Sequence, residues 1–311
     1  MHFELDTSQR DFAASIDGAL AAADVPSAIR AWSTGDTGPG RKVWATLADL
    51  GVTALMVAEE FDGIGAHATD LVVAAERLGR WGVPGPVAES IAVAPVLLAD
   101  DRRSSALAAG ELIATVAMPP RVPRAVDADA AGLVLLAADG QVWDAEAGAR
   151  HESVDPARHP FDVTSVGDAR TADTSGAFEF GALTTAAQLI GAAQAMLDGS
   201  VDYAKQRSQF GRVIGSYQAI KHALADVHIA VELARPLVYG AALGEISVSA
   251  AKVACSDAAY LASRTGLQVH GAIGYTAEFD LSIWITKIRA LVGAWGTPAY
   301  HRARLLETLV G

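Results

Sequence analysis

At 311 residues the chain has room for about two domains of the usual one to two hundred residues, and for a substantial core. A hydrophobic share of 51% with only 19% charged residues excludes a disordered chain and points to extra apolar surface hidden in a subunit interface. Twenty-four Lys and Arg against 36 Asp and Glu leave a formal charge of −12, and without a basic patch this excludes an electrostatic grip on nucleic acid or an anionic membrane. The one cysteine, Cys255, lies in an apolar helical stretch and reads as a reduced, buried thiol. Residues 1–6 lack the basic and apolar regions of a signal peptide, and the apolar runs at 91–99 and 182–195 are too short or too diluted by Ala and Gly to span hydrocarbon. The expectation is a cytoplasmic protein with no membrane span.

In chain order, residues 1–111 read as a helical N-terminal domain. Thr7 or Ser8 can cap a helix that carries Phe12, Ile16 and Leu20 at a spacing of four, and Trp44, Leu47 and Leu50 repeat at a spacing of three. Residues 32–41 have loop chemistry, Asp62-Gly63-Ile64-Gly65 is a second turn, and a helix over 69–78 ends near Gly79 and Gly82. Pro84 and Pro86 break the chain before another apolar helix at 89–98. Residues 112–180 then read as a small β unit. Its signals are apolar runs at 112–117 and 132–138 and an Asp139-Gly140 hairpin, and its end is placed around Phe178-Glu179-Phe180.

Residues 181–311 return to helical spacing. Leu189, Ala193, Leu197, Val201 and Ala204 share one face, and Leu224, Val227, Val231 and Ala234 share another. Pro236 should kink or restart that second helix. A third runs over 249–269, and a fourth region over 280–309 breaks near Gly296 and Pro298, which together make a C-terminal four-helix bundle and a mainly α fold.

Phosphate-binding glycine loops, nucleophile elbows and metal-ligand spacings are missing from the sequence, so no metal site is expected. Two stretches stand out. The first is Arg207-Ser208-Gln209-Phe210-Gly211-Arg212, followed by Tyr217 and Gln218. An arginine fork beside helix termini suits a diphosphate, and a helix-end salt bridge is the plain alternative. The second is Gln268-Val269-His270-Gly271-Ala272-Ile273-Gly274-Tyr275, whose small residues allow close backbone approach or simply cap a helix.

In this order the two stretches resemble the acyl-CoA dehydrogenase family. Val57-Ala58-Glu59-Glu60-Phe61-Asp62-Gly63-Ile64-Gly65 and Glu76-Arg77-Leu78-Gly79-Arg80 extend the resemblance to the N-terminal domain, over residues 1–100 and 182–290 in all. It implies a helical domain, a central β domain and a four-helix bundle around FAD, with oxidation of an acyl-CoA thioester by a glutamate base and hydride transfer to the flavin. The cofactor-binding residues it implies are Arg207, Gln209, Phe210, Gln268, Gly271 and Ala272, lent across a subunit interface to the ADP part of the neighbour's FAD. Ile273 stands where the family carries a hydrogen-bonding side chain, and His270 reads as a packing residue.

The departures from the family pattern are informative. The two places the family uses for its base read Trp295 and Gly181 here, so no catalytic residue is assigned, with Glu179 as a fallback two residues away. The β unit is short and lacks the family's flavin-ring segments. The chain therefore resembles the smaller, base-lacking subunit of a heteromeric (α2β2) acyl-CoA dehydrogenase acting on a bulky, steroid-derived acyl-CoA. Its partner would be a full-length acyl-CoA dehydrogenase subunit, and its electron acceptor an electron-transfer flavoprotein. A self-sufficient dehydrogenase using Glu179, a flavin oxygenase on the same fold and a non-catalytic scaffold are the rival readings.

Overall fold

The computed structural model describes residues 5–310; Met1–Glu4, part of the segment read above for a leader, lie outside the described residues. The N-terminal part comprises α1 (Thr7–Ala22), α2 (Val25–Ser33), α3 (Gly38–Asp49) and α4 (Ala68–Trp81). A π-helical turn at Glu89–Val93 leads into α5 (Ala94–Leu97), and α6 (Arg103–Ala108) follows. The cap of α1 is Asp6, not Thr7 or Ser8: its carboxylate accepts from the Gln9 N–H at 2.8 Å, and the Gln9 side chain accepts from the Asp6 N–H. A carboxylate outcompetes a hydroxyl there because the pair satisfies two orphan donors at the positive end of the helix dipole. The loop expected at 32–41 is shorter than its composition implies. Trp32 is a fully buried residue of α2, and Gly38-Pro39-Gly40 form the first turn of α3, where proline's missing N–H has no cost.

The central sheet contains β1 (Ala114–Ala117), β2 (Ala125–Val126), β3 (Leu133–Ala138), β4 (Gln141–Arg150) and β5 (Pro160–Thr171), in the order β1-β3-β4-β5-β2. β1 runs parallel to β3 and the other pairs are antiparallel. Asp139 and Gly140 turn the β3–β4 hairpin with φ of +50° and +76°, the paired left-handed conformations that Asp-Gly supplies. β5 is mostly exposed, so no apolar alternation announces it in the sequence.

The C-terminal part contains α7 (Thr174–Gln206), a hairpin of β6 (Ser208–Gln209) and β7 (Arg212–Val213), then α8 (Gln218–Ala242), α9 (Val248–His270), α10 (Leu281–Gly293) and α11 (Pro298–Val310). α7 begins ahead of the expected boundary at 181. Phe178, Glu179 and Phe180 are therefore helical, and Asp173 caps the helix by accepting from the Gly176 N–H at 2.8 Å. α8 runs unbroken through Pro236; the carbonyl left without a donor there is that of exposed Glu232. α7 is long and apolar enough to cross a membrane, yet 83% of its most apolar window is buried inside the protein, as befits the central helix of a bundle.

Close crossings lock α4 onto α7. A Cβ on Gly79 would lie 2.1 Å from the Gln188 carbonyl oxygen, and one on Gly191 would lie 1.8 Å from that of Glu76. At the same crossing the buried Glu76 carboxylate holds Arg77 at 2.8 Å and Arg235 at 3.2 Å and accepts from the Tyr239 hydroxyl at 3.1 Å. Burial beside that carboxylate pushes the Tyr239 hydroxyl pKa up. The N-terminal helices and the bundle are thus one packed body on which the two motif-bearing ends of α7 and α9 are fixed.

Candidate functional site

The chain leaves α7 through Arg207, whose backbone N–H caps the helix on the Tyr203 carbonyl. Ser208 then pairs with Val213 and Gln209 with Arg212, so Phe210 and Gly211 form a two-residue turn with φ of +51° and +80°. Phe210 holds a left-handed backbone that aromatic residues seldom adopt, and its ring is 91% exposed. The hairpin is steadied from below: the Arg212 guanidinium sits 3.9 Å over the Tyr217 ring, and the Tyr217 hydroxyl donates to the Gln209 carbonyl. Ala204, Ile214 and Val269 pack in one small apolar cluster, which brings the end of α9 beside the hairpin.

α9 ends at His270, and Gly271, with φ +65°, turns the chain into a 3-10 segment over Gly271–Tyr275. Gln268, Gly271 and Ala272 line a cleft of about 670 Å3 whose other walls include Tyr260, Arg264 and Arg289. The two guanidiniums lie 5.9 and 5.1 Å from the Tyr260 ring centroid, and neither has a carboxylate partner among the described residues. Arg264 also holds the Tyr260 hydroxyl below its ordinary pKa by hydrogen bonding to it. In a chain of charge −12, two cations left unpaired on one cleft are suited to an anionic ligand. Arg264 and Arg289 are the residues that sequence reading missed. They are far apart in the chain, and only the packing of α9 against α10 makes them neighbours. Arg207, Gln209 and Phe210 do not line this cleft, so the six expected residues fall into a walled trio and an exposed hairpin trio.

Gly181 and Trp295, the two positions that the sequence reading set against the family's base, touch each other. A Cβ on Gly181 would fall 2.4 Å from the Trp295 ring. That ring is 1% exposed and donates its N–H to the Glu89 carboxylate at 3.1 Å, while Arg158 approaches the same carboxylate at 3.5 Å. The absence of a side chain at 181 is what lets the indole in. Neither residue can accept a proton, and the carboxylate nearest their contact, that of Glu89, is buried and takes the indole N–H. Glu179 lies one face away, ion-paired with Arg304 at 2.5 Å on a smaller cleft of about 280 Å3. An acid held by an arginine is ill placed to serve as a free base.

Residues 6–100 match the acyl-CoA dehydrogenase N-terminal domain, and residues 171–310 match the acyl-CoA dehydrogenase C-terminal domain. Acyl-CoA dehydrogenase IpdE2 of Mycobacterium tuberculosis is 32% identical over 292 residues, spanning 91% of this chain and 88% of that one. The chain belongs to the acyl-CoA dehydrogenase family. Solved structures share its fold from end to end at low identity. The Tcur3481-Tcur3483 steroid ACAD superposes with a TM-score of 0.82 at 20% identity, over 97% of each chain. The ChsE4-ChsE5 complex of Mycobacterium tuberculosis gives 0.81 at 19%, over 99% of each. A glutaryl-CoA dehydrogenase of Mycobacterium smegmatis in complex with FADH2 gives 0.84 at 15%, over 99% of this chain and 95% of that one. The mainly α fold and the membership in this family of oxidoreductases agree with the sequence reading.

Proposed function

We propose that this chain is the base-lacking subunit of a heteromeric (α2β2) acyl-CoA dehydrogenase, which lends contacts to FAD held by a full-length acyl-CoA dehydrogenase subunit. The observation that carries this reading is the Trp295 ring seated on Gly181. Both positions that stand for the family's base are closed by one packed contact, while the cation-lined cleft stays open. The ChsE4-ChsE5 complex, on the same fold, supports the pairing, and the glutaryl-CoA dehydrogenase bound to FADH2 supports the cofactor.

The residues of this chain fit one half of FAD. Arg264 and Arg289 match a diphosphate, the Gln268 amide can bond the nucleoside, and Gly271 with Ala272 keeps the cleft floor low. The Phe210 ring and Arg207 on the hairpin are free to reach a neighbouring subunit. The close-packed Trp295 does not fit a flavin ring beside it, so that half of the site falls to the partner. When bound, FAD supplies the acceptor for the β-hydrogen leaving as hydride. In this reading the partner would supply the glutamate that takes the α-proton of the acyl-CoA substrate, and an electron-transfer flavoprotein would be the electron acceptor. A bulky, steroid-derived acyl group is the substrate class, supported by the Tcur3481-Tcur3483 steroid ACAD, and the cytoplasm is the compartment.

Co-expression with a full-length acyl-CoA dehydrogenase encoded beside it tests the proposal. The expected result is a yellow complex, little flavin on this chain alone, and turnover unchanged by Glu179→Gln. A homo-oligomer of this chain with stoichiometric FAD and acyl-CoA turnover overturns it, as does a loss of roughly 10²-fold in kcat on Glu179→Gln, the effect expected of a true base.

A further inference from the structure

A second groove, of about 480 Å3, opens between the C-terminal half of α7, the end of α4 and the segment entering α10. Its floor is Ala195 and Gly199 of α7, and a Cβ built on Gly199 meets nothing within 4 Å. A glycine that weakens the interior of a long helix here leaves the groove open. The walls are rings. Tyr203 stacks on His270 with centroids 4.3 Å apart, and Phe279 tilts against His270 at 5.5 Å. Trp81 and Trp284 complete the lining, with both indole N–H groups already bonded, to Asp17 and to the Arg80 carbonyl.

His270 is only 6% exposed, and its Nδ1 lies 2.8 Å from the Gly266 carbonyl oxygen. A carbonyl can only accept, so Nδ1 carries the proton and the opposite ring edge presents the Nε2 lone pair, with no hydrogen-bond partner among the described residues. Burial holds the imidazole pKa below its ordinary value, which keeps it neutral at physiological pH. The rim is acidic: Asp198, Asp202 and Asp280 stand there, paired with Arg80 at 2.7 Å, Lys205 at 3.6 Å and Arg30 at 2.5 Å. With its cations already committed, such a rim gives no grip on phosphates, unlike the cleft lined by Arg264 and Arg289.

We propose that this groove is a binding site for a small, uncharged, planar ring compound bearing one N–H or O–H, the ring slotted between the aromatic walls over Gly199 and the donor bonded to His270 Nε2. The size suits a one- or two-ring molecule held mainly by apolar walls with a single orienting polar group. The proposal does not rest on the flavin reading.

Ligand-observed NMR titration of the full chain with indole, 1-methylindole and indole-3-acetate tests it. Indole should bind saturably, 1-methylindole roughly tenfold more weakly because it has no donor for Nε2, and indole-3-acetate more weakly than indole because its carboxylate finds every rim cation already paired. Gly199→Leu should abolish indole binding with a melting temperature no lower than wild type. His270→Phe keeps a ring in the stack and should make indole and 1-methylindole bind alike. Where His270→Phe fails to fold, the comparison of the two indoles on wild type and on Gly199→Leu decides. Equal binding of indole and 1-methylindole to wild type, indole binding that survives Gly199→Leu, or no saturable indole binding overturns the proposal.

Discussion

Lys252 shows how a single buried charge can secure an element. It is fully buried on α9 and, with no carboxylate partner among the described residues, donates to the carbonyls of Leu291, Val292 and Gly296 at 3.1 to 3.4 Å. Those oxygens belong to the end of α10 and the turn after it, where intrahelical donors run out, so a side chain from another helix serves as the cap. Burial lowers its pKa from 10.5 to about 8. Between those two values the unfolded chain holds more protons than the folded one, so burial of this lysine makes stability rise with pH across that window, by about 3 kcal/mol in all, and its cost is fully present below pH 8. Comparing urea midpoints of wild type and Lys252→Met from pH 7 to pH 10 should therefore show wild type gaining on the variant as pH rises. A constant gap would mean that the lysine is not held charged against its desolvation. Neighbouring Cys255 is buried, as read from the sequence, and its thiol pKa is pushed up.

At the scale of elements, two of the four glycines of α7 have opposite roles. Gly191 sits where α4 crosses and has no room for a methyl group, whereas Gly199 faces the open groove. Gly191→Ala should cost about 3 kcal/mol or more through displacement of backbone. Gly199→Ala should be neutral or stabilising by roughly 0.5–1 kcal/mol, since it removes unfolded-chain entropy without a clash. Chemical denaturation of both variants checks the pair, and equal effects would refute the crossing as described. Both glycines are equally plain in the sequence, where nothing marks which one is pressed against another helix. The apolar spacings of α1, α3, α7 and α8 were legible because a helix buries a face that repeats along its own chain. β5 and the true start of α7 were not, because an exposed strand needs no apolar alternation and Phe178 and Phe180 suit a strand as well as a helix.

Across the whole molecule, a charge of −12 coexists with a cleft that concentrates cations. If that cleft grips a diphosphate in the assembled enzyme, flavin retained through gel filtration should fall with ionic strength, and the Arg264→Ala, Arg289→Ala double variant should bind flavin at least roughly tenfold more weakly while the complex stays assembled. Unchanged retention would limit the lent half-site to the Arg207 hairpin. Composition, helical spacing and the motif-bearing ends of α7 and α9 were determined by the sequence alone, and so was the presence of Gly and Trp, and no carboxylate, at residues 181 and 295. Each of these is either a sum over the chain or a pattern confined to one stretch of it. Only the tertiary structure decided that Gly181 makes room for Trp295, that Arg264 and Arg289 line one cleft, and that His270 joins Tyr203, Phe279 and two tryptophans around one groove. Contacts and cavities arise between residues distant in the chain, and their energetics depend on what the opposing element leaves unfilled or unpaired, which no local pattern encodes.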